Sequence, residues 1–473
     1  MDSSTFRQYA HQFVDWMADY MDGVEQYPVK SQVQPGEIYQ KIPTEMPNSG
    51  ESMDTIFQDF QEKILPGMTH WQSPNYYAYF PANVSPPSIL AEMLMSTMGA
   101  QCMKWETSPA AAELEERVME WLRDAMGIPG DWEGVIQDTA STATLAALLC
   151  ARERHSQYQV NEKGFEGFTN YRVYCSKETH SSIEKGVKIA GFGKKNLVKI
   201  EVDEQMAMQP DLLAQAIEAD IAAGLQPLCI VVATGTTGTT AIDPLDAIGD
   251  IAQKHNIWLH VDAAYAGSAL LLPEFQWMIK GIVKADSFVF NPHKWMLTNF
   301  DCTAYFVKDS RALVNTFAIL PEYLKTRTDG QVNNYCDWGI PLGRRFRALK
   351  LWFVIRYYGL EGIQEKLRGH MRMASWLEEQ INTASDFHML VPRNLNLVCF
   401  HYKPEGITDL DAINQLNEKL LHQLNDTGKI FLTHTKIRGQ YTLRIVIGQT
   451  TVEQRHVETA WAFIQEKASA LQV

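Results

Sequence analysis

Two neighbouring stretches decide the fold: Ile257-Trp-Leu-His-Val-Asp262-Ala and Ser287-Phe-Val-Phe-Asn-Pro-His-Lys294-Trp295. Each is a short apolar run, typical of a strand buried between helices, and each ends near a charged residue. Lys294 follows Asp262 by about 30 positions, which is the length of one strand–helix–strand unit. Because functional side chains gather at the carboxyl ends of parallel strands, we expect Asp262 and Lys294 to lie close together.

The middle of the chain alternates similar apolar runs with helical patterns. Strands are predicted at 171–176, 197–202, 228–234, 257–263, 287–291 and 303–307. This alternation indicates an α/β domain with a mainly parallel sheet, which we assign to residues 85–345.

The N-terminal residues 1–84 are predicted to form a helical dimerisation segment. One of Ser3, Ser4 or Thr5 is expected to cap the first helix. That helix carries an aromatic stripe at three- and four-residue steps, which we expect a second subunit to cover. The stripe consists of Phe6, Tyr9, Phe13, Trp16 and Tyr20.

The C-terminal residues 346–473 are predicted to form a small α+β domain. Strands are expected at 395–402 and 441–448, after a long helix that begins near Arg347. Thr451 and Gln454 resemble a capping box that opens the final helix.

Composition narrows the class of function. The 473 residues carry a net charge of −14, which argues against nucleic acid or an anionic membrane as the main partner. No apolar run approaches the ~20 residues that span a bilayer, and the N-terminus lacks a secretory pattern, so we expect a cytoplasmic protein. The seven widely spaced cysteines include no CxxC pair, and we expect neither a metal site nor a disulfide framework.

Lys294 and Asp262 together indicate one cofactor chemistry. A buried lysine is costly, but its amine becomes neutral readily and then forms a Schiff base with an aldehyde. Pyridoxal phosphate needs that lysine, and it needs an acid that keeps its ring nitrogen protonated. The alternative for the pair is an internal salt bridge.

Three further segments agree with this cofactor. The hydroxyl-rich turn after Gln137 precedes an apolar helix, where a phosphate would bind, although it could also be a plain helix cap. His180 follows a predicted strand and could stack on the cofactor, or it could be a surface histidine. Residues 233–240, ATGTTGTT, indicate a loop pressed against a ligand, with a turn-rich surface loop as the alternative.

The chain resembles the group II pyridoxal-phosphate decarboxylases, and among them the aromatic L-amino acid decarboxylases. The resemblance extends over nearly the whole chain. Its motifs are HWQSPNYYAYFP (70–81), TSPAAAELE (107–115), IQDTAS (136–141), HSS (180–182), FNPHKW (290–295), NFDCTAYFV (299–307) and IPLGRRFRALKLWF (340–353).

The resemblance implies the fold-type-I architecture, pyridoxal phosphate as cofactor, an aromatic amino acid as substrate, and a homodimer with the active site at the subunit interface. The implied catalytic residues are Lys294 for the Schiff base, Asp262 for the pyridinium nitrogen, His180 for stacking and protonation, and Tyr323 as a proton donor on a mobile loop. The other implied cofactor contacts are Thr139, Ala140, Ser141, Thr237, Ala264, Asn291 and His293. The implied substrate contacts are Trp71, Tyr79, Phe80, Pro81, Met103 and Gly343.

The sequence departs from the pattern of the animal enzymes in the substrate pocket and the phosphate turn. Ala82 replaces a threonine, Met103 replaces a more apolar residue, and Asp138-Thr139 replaces Gly-Ser. These differences leave the preferred aromatic amino acid open. The alternatives are a related enzyme that makes an aldehyde, another fold-type-I reaction such as that of an aminotransferase or aldolase, and a degenerate homologue that only binds. Relatives that make aldehydes carry Phe where this chain has Tyr323, so the sequence favours the amine as product.

Overall fold

The structure is a computed structural model, and it describes residues 1–319 and 330–471. The chain divides into two compact units. The larger unit comprises Ala82–Gly369 with Val391–Leu395, and the other comprises Met1–Pro81, His370–Leu390 and Asn396–Val473. The N-terminal segment therefore belongs to the same unit as most of the C-terminal segment, whereas the sequence analysis treated the two separately.

The helices of the described residues follow one another along the whole chain. In order they are α1 Ser3–Gly23, α2 Glu37–Lys41, α3 Met53–Asp59, α4 Pro86–Met98, α5 Pro109–Met126, α6 Ala140–His155, α7 Gln159–Lys163, α8 Ser181–Ile189, α9 Pro210–Ala222, α10 Leu245–Lys254, α11 Pro292–Trp295, α12 Arg311–Phe317, α13 Arg347–Thr383, α14 Leu410–Asn425 and α15 Gln454–Ser469. Helix α13 is interrupted at Gly359, whose φ of 64° and ψ of 171° are tolerated only by glycine. No helix within these described ranges is both long enough and apolar enough to cross a membrane.

The larger unit contains a seven-stranded sheet. Its strands are β1 Glu133–Gln137, β2 Tyr171–Ser176, β3 Leu197–Ile200, β4 Gln226–Ala233, β5 Trp258–Asp262, β6 Ser287–Phe290 and β7 Thr303–Val307. They lie in the order β1-β7-β6-β5-β4-β2-β3, and only β7 runs against the others. The expected α/β fold-type-I architecture with a mainly parallel sheet is confirmed, as are all six predicted strands.

Strand β1 was missed because its short sequence, EGVIQ, contains Glu133 and Gly134. Packing explains the glycine: a Cβ at position 134 would lie 2.5 Å from Met119 Cε and 2.8 Å from the Phe306 ring. The sheet neighbours therefore require a residue that strand propensity disfavours.

The core of the larger unit lies between the sheet and helix α6. Val173, Val231 and Val289 project from three strands and are fully buried in the same cluster as Ala143 and Ala147 of α6. The small alanine side chains allow α6 to approach the sheet closely, and this packing fixes the N-terminus of α6 at the sheet edge.

The smaller unit contains an antiparallel sheet in the order β10-β11-β9-β8. Its strands are β8 Phe387–Met389, β9 Leu397–Tyr402, β10 Thr433–Ile437 and β11 Gln440–Val446. The two strands predicted here, at 395–402 and 441–448, are confirmed as β9 and β11. The sheet and the helices α14 and α15 share one buried cluster, which includes Phe400 and Trp461.

Two predicted helix caps are wrong. Helix α1 is capped by Asp2, whose carboxylate accepts the Thr5 N–H at 2.8 Å, rather than by Ser3, Ser4 or Thr5. Helix α15 is capped by Glu453, which forms a capping box with His456, rather than by Thr451 and Gln454. In the second case the Glu453 N–H donates to His456 Nδ1 at 2.9 Å, so the helix begins two residues later than the Thr451 pattern suggests.

The aromatic stripe of α1 packs largely on its own chain. The ring centroids of Phe13 and Phe57 lie 4.6 Å apart, and those of Trp16 and Phe60 lie 5.2 Å apart. Phe6 remains 60% exposed. The expectation that a second subunit covers the whole stripe therefore applies at most to its N-terminal end.

Candidate active site

Five strands that run in the same direction lead at their carboxyl ends into segments with predicted site residues. Strand β1 leads to Thr139–Ser141, β2 to His180, β4 to Thr234–Thr237, β5 to Asp262–Ala264 and β6 to Asn291–Lys294. In an open α/β sheet this edge is where ligands bind. The fold therefore assembles the polar segments of the larger unit at one place.

The position of Lys294 is set by Pro292. This proline is the first residue of the four-residue helix α11, where its missing N–H and fixed φ end strand β6 and turn the chain. The Lys294 N–H donates to the Asn291 carbonyl at 2.9 Å. Burial lowers the pKa of the Lys294 amine, and the nearby Asp262 carboxylate opposes that shift. A lowered pKa makes the neutral, nucleophilic form of the amine easier to reach.

Asp262 ends strand β5 and is buried. Its Oδ1 accepts the Ala264 N–H at 3.0 Å, and the Ala264 carbonyl accepts the Asn291 N–H at 3.0 Å. The carboxylate is thus held by the same residues that join the end of β5 to the end of β6. This connection explains why two residues far apart in sequence interact electrostatically in the fold.

His180 lies at the N-terminus of helix α8 and interacts electrostatically with both Lys294 and Asp262. Burial and the positive charge of Lys294 lower its pKa, while Asp262 opposes the shift. His180 Nδ1 accepts the Ser182 N–H at 3.2 Å, so the neutral ring carries its proton on Nε2. The structure therefore brings together the three titratable residues that the sequence singled out.

The predicted phosphate turn is joined to the lysine segment through Thr303. Thr139 is the N-cap of the 16-residue helix α6, so the N–H groups of Ala140 and Ser141 belong to the helix N-terminus, which attracts anions. The buried Thr303 hydroxyl lies 3.0 Å from the Asp138 carbonyl oxygen and 2.7 Å from Asn291 Oδ1. The phosphate turn and Asn291 are thus two parts of one site.

Two buried polar side chains next to these strand ends call for a ligand. The amide of Gln137 is 8% exposed, and neither its nitrogen nor its oxygen has a hydrogen-bond partner in the described part of the chain. The buried Thr234 hydroxyl is also without a partner there, although the Thr234 N–H donates to the Asp262 carbonyl at 2.9 Å. Unpaired buried groups are costly, so these two side chains are suited to contacts with a polar ligand at this edge of the sheet.

The remaining cofactor residues lie in the same unit. His293 is buried, its Nδ1 accepts the Cys302 N–H at 3.0 Å, and burial lowers its pKa to about 3. Its ring therefore stays neutral beside Lys294. Thr237 is partly buried in the loop after β4, where the neighbouring hydroxyls of Thr236 and Thr239 lie 3.1 Å apart.

The predicted substrate residues fall into two groups. Met103 and Gly343 belong to the larger unit, where the Cys102 N–H donates to the Arg344 carbonyl at 2.9 Å and places the two segments side by side. The others belong to the smaller unit: Trp71, Tyr79, Phe80 and Pro81. Tyr323 lies outside the described residues.

The sequence analysis missed a buried ion pair that supports the Gly343 segment. Arg344 Nη2 lies 2.6 Å from Glu115 Oε1 and donates to the Ile136 carbonyl at 2.7 Å, and the Ile136 N–H donates to Glu115 at 2.8 Å. Glu115 lies on the apolar face of α5, and a charged residue on such a face is the sequence signal that could have revealed the pair.

Thr303 and Gln137 were also missed. They are directly opposite each other in the β1–β7 pair, Gln137↔Thr303. No local pattern reveals this contact, because the two residues are brought together only by sheet pairing.

Comparison with known proteins defines the class. The chain matches the model of the pyridoxal-dependent decarboxylase conserved domain over residues 35–403. It therefore belongs to the pyridoxal-dependent decarboxylase family. It is a carboxy-lyase that depends on pyridoxal phosphate, and the cofactor expected from Lys294 and Asp262 is confirmed.

Several relatives of at least 40% identity are named for aromatic amino acids or an aromatic aldehyde. The chain is 42% identical to tyrosine decarboxylase 4 of Petroselinum crispum, with 100% of this chain and 94% of that protein covered. It is also 42% identical to phenylacetaldehyde synthase of Arabidopsis thaliana, with 100% and 97% covered. The crystal structure of Catharanthus roseus tryptophan decarboxylase in complex with L-tryptophan superposes with a TM-score of 0.94 at 40% identity, covering 100% of this chain and 99% of that one. The resemblance to the aromatic L-amino acid decarboxylases is thus confirmed.

Proposed function

We propose that this protein removes the carboxyl group of an aromatic L-amino acid as CO2 and releases the corresponding arylalkylamine. The observation that carries the proposal is the convergence of Lys294, Asp262 and His180 at the carboxyl edge of the sheet. The aromatic substrate class is inferred from relatives that are named tyrosine and tryptophan decarboxylases.

Each site residue has a distinct task in this proposal. When bound, pyridoxal phosphate supplies a protonated ring that takes up the electron pair left by the departing carboxylate. Lys294 would hold the cofactor through its amine, and Asp262 would keep the ring nitrogen protonated. His180 would lie against the cofactor, with its Nε2–H as a hydrogen-bond donor. Burial makes these roles favourable because it weakens competition from water.

The phosphate is assigned to the N-terminus of α6. The N–H groups of Thr139, Ala140 and Ser141 and the Ser141 hydroxyl are suitable donors, and the Asn291 amide lies nearby through Thr303. Ala264, Thr237 and His293 complete the cofactor pocket. This assignment is supported by the position of these residues, which all follow parallel strands at the carboxyl edge of the same sheet.

The substrate's aromatic ring is assigned to the six residues that the sequence singled out. They are Trp71, Tyr79, Phe80, Pro81, Met103 and Gly343. Aromatic and apolar walls would exclude water from the carboxylate, which favours its loss as neutral CO2. Tyr323 is assigned the protonation of the substrate's α-carbon after CO2 leaves.

A product assay tests the proposal. The purified enzyme with added pyridoxal phosphate is given tryptophan, 5-hydroxytryptophan, tyrosine, phenylalanine and DOPA, and kcat/KM is measured for each. We expect amine and CO2 in equal amounts from at least one of them. Formation of aldehyde, ammonia and hydrogen peroxide instead would support the second candidate, an aromatic aldehyde synthase. The 42% identity to phenylacetaldehyde synthase is the observation that favours that candidate.

We further propose a cytoplasmic homodimer with the active site at the subunit interface. The dimer is supported by an exposed apolar strip on α4, formed by Leu90, Leu94 and Met98 at successive helical turns. We expect sedimentation to give about twice the monomer mass of 53.7 kDa, and Leu94→Asp to shift the protein to monomer. Leu410→Asp, at an exposed leucine of α14, is the matched control and should stay dimeric. A monomeric wild type would contradict the dimer, and cell fractionation tests the location.

A further inference from the structure

An acidic side chain lies within the turn that is assigned to the cofactor's phosphate. Asp138 immediately follows strand β1 and precedes the helix cap Thr139. Its Oδ1 accepts the Thr139 N–H at 2.7 Å, the short distance expected of a charge-assisted hydrogen bond. The side chain therefore occupies one of the donors that a phosphate at this helix end would use.

The field at the start of α6 makes this contact favourable without a ligand. The N-terminus of a helix carries partial positive charge, and a carboxylate there stabilises the fold. Thr139 Oγ1 in turn accepts the Thr142 N–H at 3.4 Å. Side chains of the protein thus already accept two of the N–H groups at this helix end, those of Thr139 and Thr142. A phosphate that binds at the same end must share both the donors and the field with the Asp138 carboxylate.

The main chain of Asp138 is not free to move away. Its carbonyl oxygen lies 3.0 Å from the Thr303 hydroxyl, and Thr303 is fully buried in strand β7. Arg347 interacts electrostatically with Asp138, but its Nη2 donates to a different carboxylate, Asp301 Oδ2, at 2.9 Å.

We propose that Asp138 is an internal competitor of the cofactor's phosphate, which stabilises the cofactor-free protein and weakens its affinity for pyridoxal phosphate. The inference rests on the proposed assignment of the phosphate to Thr139–Ser141. It gives the residue two effects of opposite sign, whereas a merely structural residue would affect stability and binding in the same direction.

The test compares Asp138→Asn and Asp138→Ala with wild type. Asparagine keeps an oxygen that can accept the Thr139 N–H and loses only the charge, and alanine loses both. The dissociation constant of pyridoxal phosphate is measured by spectral titration of the cofactor-free proteins, and their thermal midpoints are recorded without cofactor. We expect roughly tenfold tighter binding in both variants, from two like charges a few ångströms apart near the surface. The cofactor-free midpoint should fall, and should fall further in Asp138→Ala.

Two controls localise the effect. Pyridoxal, which lacks the phosphate, should bind wild type and variants equally. Asp131→Asn, at an exposed aspartate on the other side of β1, should leave both quantities unchanged. Unchanged or weaker binding of pyridoxal phosphate in the Asp138 variants would overturn the proposal, as would an equal gain for pyridoxal. A wild type that binds no pyridoxal phosphate would instead contradict the proposed function.

Discussion

The surroundings of Lys294 and Asp262 set the pKa of the lysine amine, on which its reactivity depends. Burial lowers the pKa of the lysine amine, and the nearby carboxylate keeps that shift from going further. His180 is held neutral by burial and by the lysine charge, with Nδ1 occupied by the Ser182 N–H. The structure thus brings an amine, a carboxylate and an imidazole ring within electrostatic reach of one another.

Asp262→Ala tests the role of the carboxylate. Without it the cofactor ring nitrogen loses its proton and accepts electrons poorly, so we expect kcat to fall at least about 1000-fold even where the cofactor is bound. The measurement is kcat at saturating pyridoxal phosphate, with the bound cofactor quantified by its absorbance. A variant that retains near-normal kcat would show that another acid serves the ring.

Tyr323→Phe tests the assignment of the proton donor, which rests on sequence alone. Phenylalanine keeps the size of the side chain and removes its acidic proton, so we expect amine formation to decrease while aldehyde and hydrogen peroxide increase. All three products are measured in one reaction. Unchanged amine formation would leave His180 or water as the donor.

The elements explain how these residues are positioned. Helix α5 contributes Glu115, which binds both the Ile136 N–H at the end of β1 and the Arg344 guanidinium beside Gly343. One buried carboxylate thus connects a helix, a strand of the sheet and the segment assigned to the substrate. Removing one partner of such a pair leaves the other charge buried and unpaired.

Glu115→Ala is therefore expected to reduce the free energy of unfolding by about 3–5 kcal/mol. The matched control is Arg345→Ala, which removes an exposed arginine whose Nη1 lies 3.3 Å from Asp301. Its effect should be smaller, because the Arg345 side chain is about half exposed to solvent and its partners Asp301 and Glu92 have other cations beside them. Denaturant unfolding of both variants is the measurement, and equal losses would contradict the role of the buried pair.

Strand β5 also carries His260, a fully buried ring between Thr144 Oγ1 at 3.2 Å and Ser287 Oγ at 2.9 Å. Burial lowers its pKa to about 4, so in the folded protein it stays neutral where the unfolded chain binds a proton. The neutral His260 ring therefore costs the fold no stability above about pH 6.5. As the pH falls from 6.5 toward 4, the unfolded chain binds a proton that the folded ring does not, and the free energy of unfolding decreases by up to about 3 kcal/mol.

Acidification from pH 6.5 to 4 should accordingly lower the thermal midpoint of wild type more than that of His260→Gln. His11→Gln, at an exposed histidine of α1, should follow the wild-type curve. Parallel curves for wild type and His260→Gln would contradict the assigned cause.

At the scale of the whole molecule, the sequence predicts what depends on local pattern. Apolar runs are sufficient to locate eight strands, because seven of the eight are largely buried on both faces and are therefore apolar throughout. Strand β1 escapes because Gly134 is required by Met119 and Phe306, which only the folded sheet brings near it. The grouping of the N-terminal and C-terminal segments into one unit is not visible in the sequence either, because it depends on contacts between residues far apart in the chain.

The site follows the same division. The proximity of Lys294, Asp262 and His180 could be predicted because each ends or follows a recognisable strand of the parallel sheet. Gln137, Thr303 and the Glu115–Arg344 pair could not, because their roles arise from contacts between distant segments. Local sequence patterns thus indicate the candidate catalytic residues, whereas the residues that position them are recognised only in the folded structure.

The most direct measurement of the central claim is reduction of the purified enzyme with borohydride, followed by proteolysis and peptide mapping. Reduction fixes the cofactor permanently on the lysine that holds it. We expect a single labelled peptide that contains residues 287–295, with the label on Lys294, and loss of that label in Lys294→Ala. A label on any other lysine, or an unlabelled protein that still releases CO2 from an aromatic amino acid, would contradict the account.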